Sequence, residues 1–151
     1  MSASPFPENI DPLALENQLC FPLYAATNLV TRSYRELLQP LGLTYPQYLV
    51  MMVLWQDQEI SVGELGKMLY LDSGTLTPML KRMEVNGLLQ RLRDPNDERR
   101  VQVRITKAGQ ELKQQAKAIP ESMACRLAAS SEWLNSLRLD LKQLIQLLSA
   151  N

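Results

Sequence analysis

Cys20 and Cys125 are the two thiols of this 151-residue chain, and histidine is absent from it. Without histidine the commonest general base and the commonest metal ligand are both missing, which disfavours hydrolase triads and zinc sites. The cysteines stand 105 positions apart. In a reducing compartment that argues against a structural disulfide and leaves two thiols for redox chemistry. A peroxide is attacked by the thiolate, and an ordinary cysteine with a pKa of about 8.5 is mostly protonated at neutral pH. A helix N-terminus, a neighbouring cation or hydrogen-bond donors must favour the anion. Pro22 interrupts a helical pattern two residues after Cys20, which predicts a kink or a fresh helix start just after the cysteine. Such a start would aim backbone N–H groups at the sulfur. By residue type alone, a lone cysteine is more simply a buried core thiol.

A second constellation points to nucleic acid. From Asp72 to Arg82 the chain reads Asp-Ser-Gly-Thr-Leu-Thr-Pro-Met-Leu-Lys-Arg. Ser73, Thr75 and Thr77 offer small hydroxyls to phosphates or base edges, Gly74 permits close approach, and Lys81 and Arg82 add charge one to two turns later. A surface helix with a serine/threonine cap is the plainer reading of that segment alone. The formal net charge is zero, yet Met79 to Lys107 holds eight basic residues against four acidic ones. Residues 1–78 carry three basic residues against eight acidic ones. A basic block on a neutral chain suits a phosphate-facing surface. Within it, Arg93 leads into the turn formers Asp94-Pro-Asn-Asp97, and Arg99 and Arg100 are predicted at the tip of a hairpin that reaches a minor groove. Asp97 is placed to brace the Arg99 guanidinium in a bidentate pair. A solvated charged turn is the bland reading of that tip.

The elements that would position these groups follow from periodicity and punctuation. Asp11-Pro12 reads as an N-cap and first helical residue. Leu19, Leu23, Ala26, Val30, Tyr34, Leu37 and Leu41 then recur at steps of three or four until Pro40 and Gly42 end the run. Thr44-Tyr-Pro-Gln47 and Ser61-Val-Gly-Glu64 have capping-box spacing, predicting helices to about Gln56 and Leu69. The next helix runs to Asn86-Gly87 and is expected to begin near Thr75, so that Pro78 falls in its first turn. Leu88–Arg93 and Val101–Ile105 read as strands. Thr106 caps a long helix to about Ile119, which Pro120 bends, and Ser130 or Ser131 starts a last helix with Leu134, Leu137, Leu141, Leu144, Ile145 and Leu148 on one face.

The order predicts a mainly α chain with a small β-wing: a winged helix-turn-helix core over about 44–106, flanked by helical arms at 12–43 and 107–151. It is a single domain, as the length allows. The longest apolar run, Tyr48 to Trp55, is too short to span a membrane, and Met1 to Ile10 lacks the pattern of a signal peptide, so the cytoplasm is the expected compartment.

Asp97-Glu-Arg-Arg, followed by Ile105-Thr106-Lys-Ala-Gly109, resembles the wing and following helix start of the multiple-antibiotic-resistance-regulator (MarR) family. Leu19-Cys20-Phe21, Thr44-Tyr45-Pro46-Gln47-Tyr48 and Leu71-Asp-Ser-Gly-Thr-Leu-Thr-Pro-Met-Leu80 resemble its organic-hydroperoxide-resistance regulator branch, over roughly Leu15 to Leu148. The resemblance implies a homodimeric repressor that holds double-stranded operator DNA when reduced and leaves it when an organic hydroperoxide oxidises Cys20. It implies that Tyr34 and Tyr45 donate hydroxyls to the reactive sulfur across the dimer, and that Cys125 occupies the place of the second, resolving cysteine of two-cysteine members. Phe21, Leu23, Tyr24, Met51 and Met52 are expected to form an apolar pocket around Cys20. No cofactor is implied. Two rivals stand beside this reading: a MarR-type repressor responding to a small phenolic ligand, and a thiol peroxidase, though no peroxidase motif surrounds Cys20.

Overall fold

The structure, a computed structural model, describes residues 10–150. The stretch Met1 to Ile10, read above for a signal peptide, lies outside the described residues except for Ile10. Helices α1 (Cys20–Leu38), α2 (Tyr45–Asp57), α3 (Val62–Leu69) and α4 (Ser73–Val85) are followed by strands and three further helices. A short strand β1 (Glu59–Ser61) precedes α3, and β2 (Leu89–Asp94) and β3 (Asp97–Ile105) form the wing. The chain ends in α5 (Lys107–Ala116), α6 (Ile119–Leu127) and α7 (Ser131–Ser149). The winged helix-turn-helix core with helical arms is thus present.

Both capping boxes form. The Thr44 and Ser61 hydroxyls accept from the backbone N–H of Gln47 and Glu64, whose side chains accept from the cap N–H groups in return. Such reciprocal bonds satisfy two otherwise orphaned donors and fix the helix start. Asp11-Pro12 does not start a helix. Asp11 instead accepts from the Leu13 N–H at 2.9 Å in a tight turn, because a side chain bonding two residues ahead favours a turn as readily as a cap. Helix α1 begins at Cys20 itself, with Pro22 in its first turn where the missing N–H costs nothing.

Three further expectations are corrected. Helix α4 begins at Ser73, capped by Asp72, so Pro78 lies inside it rather than in its first turn. The wing sheet has three strands, not two, in the antiparallel order β1-β3-β2, because Glu59–Ser61 pairs with Arg104, Val103 and Gln102. The helix after Thr106 stops at Ala116, and α6 starts separately with Pro120 in its first turn.

The core runs from Leu38 to Ile119 and is centred on α2, seven of whose thirteen residues are buried. Leu65, Leu80, Met83, Leu89 and Val103 close around it. Helix α5 is tied to this core. The Trp55 indole N–H donates to the Gly109 carbonyl at 2.9 Å, and the Lys113 ammonium donates to the Trp55 carbonyl at 3.1 Å. Gly109 admits no side chain, since a Cβ there would stand 2.2 Å from the Leu88 carbonyl oxygen. Trp55→Phe removes the five-membered half of the buried indole together with the N–H that bonds the Gly109 carbonyl, so we expect a loss of about 1–3 kcal/mol, measured by denaturant unfolding. The arms differ from the core. Helix α1 buries only Leu38, and α7 buries none of its residues.

Candidate functional site

Helix α4 presents Ser73, Gly74, Thr75, Thr77, Pro78, Lys81 and Arg82 to solvent, while Leu76, Met79, Leu80 and Met83 pack inward. Its start is built by Asp72, whose carboxylate accepts from the Thr75 N–H at 2.9 Å and from the Thr75 hydroxyl at 3.0 Å. These bonds hold the Asp72 carboxyl below its usual range. The Thr75 hydroxyl proton is therefore committed within the cap, and Ser73 and Thr77 are the hydroxyls of this turn left to face a ligand. Gly74 has a local role as well: a Cβ would lie 2.9 Å from the Asp72 carboxylate oxygen.

The wing is arranged differently from the expected hairpin. Its tip is Pro95-Asn96, and Asp94 accepts from the Asn96 N–H at 2.9 Å. Asp94 pairs with Asp97, whereas Arg93 pairs with Val101, so residues 98–100 bulge out of β3. Arg99 and Arg100 ride on that bulge, not at the tip. Asp97 accepts from the Arg99 backbone N–H at 3.0 Å. It thus braces the bulge, and no ion pair to the Arg99 guanidinium occurs among the described residues. The bulge folds toward α3, where Arg100 helps to hold the Glu64 carboxyl down, after the stronger effect of the Ser61 bonds. Between α3, α4 and the wing lies a cleft of about 860 Å³ whose lining includes Lys67, Ser73, Thr77, Arg91, Arg99 and Arg100.

Glu84 accepts from the Arg91 backbone N–H at 2.7 Å and from its guanidinium at 2.8 Å. That ties the start of β2 to the last turn of α4. Arg93, Lys81 and Arg82 are exposed. Of the expected site residues, Ser73, Thr77, Arg99 and Arg100 share the cleft, which Lys67 joins although its sequence context gave no signal. Gly74, Thr75, Pro78, Lys81, Arg82, Arg93 and Asp97 are not in its lining.

Cys20 is exposed at the first position of α1, whose N-cap Leu19 makes no side-chain cap bond. Uncapped N–H groups and the helix dipole favour an anion at that end. Phe21, Tyr24 and Met52 are exposed as well, but Met51 is fully buried in the core and cannot line a pocket at the thiol. Tyr34 and Tyr45 stack with ring centroids 4.5 Å apart, and Tyr48 completes the group at 6.0 Å from Tyr34 and 6.5 Å from Tyr45. Tyr34 lies fourteen residues after Cys20 on the same helix, about 21 Å along its axis at about 1.5 Å per residue. The tyrosines do not reach their own chain's thiol.

Burial raises the Tyr34, Tyr45 and Tyr48 phenols above their ordinary 10.0. They keep their protons at neutral pH and so remain donors. A raised phenol pKa contributes stability that is fully present below the unfolded value and is lost as pH rises from there through the folded one. Ultraviolet titration should show three phenols ionising above pH 10, with stability falling in the same window.

Cys125 is also exposed, near the end of α6. Its neighbour Arg126 donates to the Ser33 carbonyl at 3.2 Å and pairs with Glu36 at 2.8 Å. Cys125 is therefore held at the far end of α1 from Cys20. A disulfide needs Cα atoms within about 7 Å, so the two thiols of one chain cannot bond in this arrangement. Among the described residues no cluster suited to a metal ion occurs, and no helix is long and apolar enough to cross a membrane.

Residues 43–101 match the MarR family. The chain is 46% identical over 138 residues to the organic hydroperoxide resistance transcriptional regulator of Bacillus subtilis, covering 91% of this chain and 94% of that protein. Among solved structures it is similar to reduced AbfR bound to DNA, with a TM-score of 0.75 and 33% identity over 90% of this chain and 93% of that one. The disulfide-formed AbfR gives a TM-score of 0.62 and 36% identity over 87% of this chain and 92% of that one. These relatives are transcriptional regulators, which sets the thiol-peroxidase reading aside. The chain belongs to the MarR family of transcriptional regulators, in its organic-hydroperoxide-resistance branch.

Proposed function

We propose that the chain is a homodimeric cytoplasmic repressor that holds double-stranded operator DNA when reduced and releases it when an organic hydroperoxide oxidises Cys20. The observation that carries this reading is the exposed Cys20 at the uncapped start of α1, beside the exposed apolar side chains of Phe21 and Tyr24. The thiolate attacks the peroxide O–O bond, taking one oxygen as sulfenic acid while the other leaves, protonated, as the alcohol. Cys125 of the partner subunit then displaces that hydroxyl, forming a disulfide and water. The resemblance assigns the Tyr34 and Tyr45 hydroxyls to the partner subunit's thiol, and their distance from Cys20 of their own chain is consistent with that. AbfR exists both reduced on DNA and in a disulfide form, which supports a redox cycle of this kind. The test is an operator gel shift titrated with cumene hydroperoxide, run beside a non-reducing gel. Release with a covalent dimer supports the reading; operator binding that ignores the peroxide refutes it.

On the DNA side, α4 enters the major groove and the wing bulge reaches the flanking minor groove. Arg99→Ala should weaken operator binding by about 1–3 kcal/mol. Lys81→Ala should weaken all sequences more evenly and lower the salt slope by about one, as loss of a phosphate contact does. Fluorescence anisotropy at several salt concentrations separates the two. If both variants bind like the parent, the DNA face lies elsewhere.

The cleft between α3, α4 and the wing favours a second reading, in which a small phenolic acid is the inducer. Its cations Arg91, Arg99 and Arg100 sit beside apolar Val62, Leu71 and Leu76. Release of operator by salicylate but not by hydroperoxide would select it.

A further inference from the structure

We propose that Arg126 is a positioning residue that restrains Cys125, and that opening its contacts to α1 sets the rate of the disulfide step. This rests on the redox reading above and adds to it which contact gates the resolving thiol. Helix α6 has nine residues and only two of them, Ile119 and Met123, are buried. Ile119 is its first residue and Met123 lies two residues before Cys125, so the apolar anchor ends there. The Cys125 end is held by Arg126, whose guanidinium bonds the Ser33 carbonyl and the Glu36 carboxylate of α1. Beyond it residues 128–130 are not helical, and α7 begins only at Ser131. The helix stops at Leu127, and Ala128 turns into the left-handed region at φ 49°. On the other side Lys117-Ala118 separates α6 from the docked α5.

The last turn of α6 is thus a short lever, pivoted near Met123 and latched at Arg126. With the latch closed, Cys125 moves with the C-terminal half of α1, about 20 Å along that helix from Cys20 of its own chain. With the latch open, the Cys125 end swings about the apolar anchor. Both partners of the ion pair are partly solvated, with Arg126 39% and Glu36 74% exposed. Such a pair is weak and salt-sensitive, which suits a contact that must break in each cycle. The chemistry behind the latch is balanced: the Cys125 sulfur forms the S–S bond, the S–O bond of the partner subunit's sulfenic Cys20 breaks, and the departing hydroxide leaves as water. The hydroperoxide is the oxidant consumed.

The test measures two rates on the full-length protein. Sulfenic acid at Cys20 is trapped with dimedone and counted by mass spectrometry; disulfide is counted on non-reducing gels after alkylation. In Arg126→Ala and Glu36→Gln, sulfenic acid should form at the parental rate, while disulfide should form about threefold to tenfold faster. Arg126→Lys should restore a rate near the parent's. Raising salt to about 0.5 M should speed the parent but not Arg126→Ala. Disulfide formation at the parental rate, or slower, in both variants overturns the proposal while leaving the redox reading intact. Absence of sulfenic acid and disulfide in the parent overturns the redox reading and this proposal with it.

Discussion

Cys20→Ser is expected to bind operator like the parent and to stay bound in the presence of organic hydroperoxide. Serine replaces the sulfur with a smaller oxygen at an exposed helix start, so neither core packing nor the DNA face should change. The serine hydroxyl can bond the same donors, but it is not a nucleophile toward a peroxide at neutral pH, so no covalent change follows. Cys125→Ser should behave differently. It still forms sulfenic acid at Cys20, but without a resolving thiol that acid advances to sulfinic acid, which thiols do not reverse. The readout is operator release by anisotropy before and after a reducing agent. The parent should release and recover, Cys20→Ser should not release, and Cys125→Ser should lose recovery after excess peroxide. A Cys20→Ser protein that remains peroxide-responsive would sink the assignment of the sensing thiol.

How much of this site was legible in the sequence depends on whether its geometry is local. The capping boxes at Thr44 and Ser61 were legible because each joins residues three apart. The α4 cap was not: Pro78 drew the expected start to Thr75, whereas Asp72 caps a helix that begins at Ser73. The wing was legible as a hairpin but not as a bulge. Asp94-Pro-Asn-Asp97 marks a turn, whereas the slip in register between Arg93 and Val101 is set by pairing along the whole strand. That slip moves Arg99 and Arg100 from the expected tip to the mouth of the cleft. Asp97 kept its partner residue but not the atom, accepting from the Arg99 backbone in place of its guanidinium.

Contacts distant in sequence left no trace. The Trp55–Gly109 bond joins residues 54 positions apart, and the Arg126–Glu36 pair residues 90 apart. Strand β1 is three residues long and carries no alternating pattern of its own; it exists because β3 offers it an edge. Met51 was assigned to the thiol pocket by its neighbours, yet α2 is buried on nearly every side and its periodicity does not say which side faces α1. The apolar stripes of α1 and α7 were read correctly as stripes. Their exposure in one chain is what turns them into a statement about assembly.

Replacing Leu141 and Ile145 of α7 by glutamate is expected to abolish the dimer and, with it, tight operator binding. The two residues are one helical turn apart and, with Leu137, continue the stripe that the periodicity marks. They stand 36% and 41% exposed in the single chain, and Trp133 and Leu148 on the same side stand 55% and 69% exposed. A nineteen-residue helix that buries none of its residues in its own chain gains little from that chain's core. Each Leu or Ile fully covered by a second copy contributes about 1.5–3 kcal/mol, and two-fold symmetry doubles every such contact. The double variant places four carboxylates in that interface, where an unpaired charge is strongly disfavoured. One winged helix-turn-helix unit then binds a single half-site, and operator affinity should fall by about a thousandfold or more. Sedimentation velocity at micromolar protein should show a monomer, and circular dichroism should show the helices of the core retained. Leu139, on the opposite side of α7 and 58% exposed, supplies the control. Leu139→Glu should leave both dimer and operator affinity near parental. A dimer that survives the double variant, or dissociates equally with Leu139→Glu, would show that this face of α7 does not join the subunits.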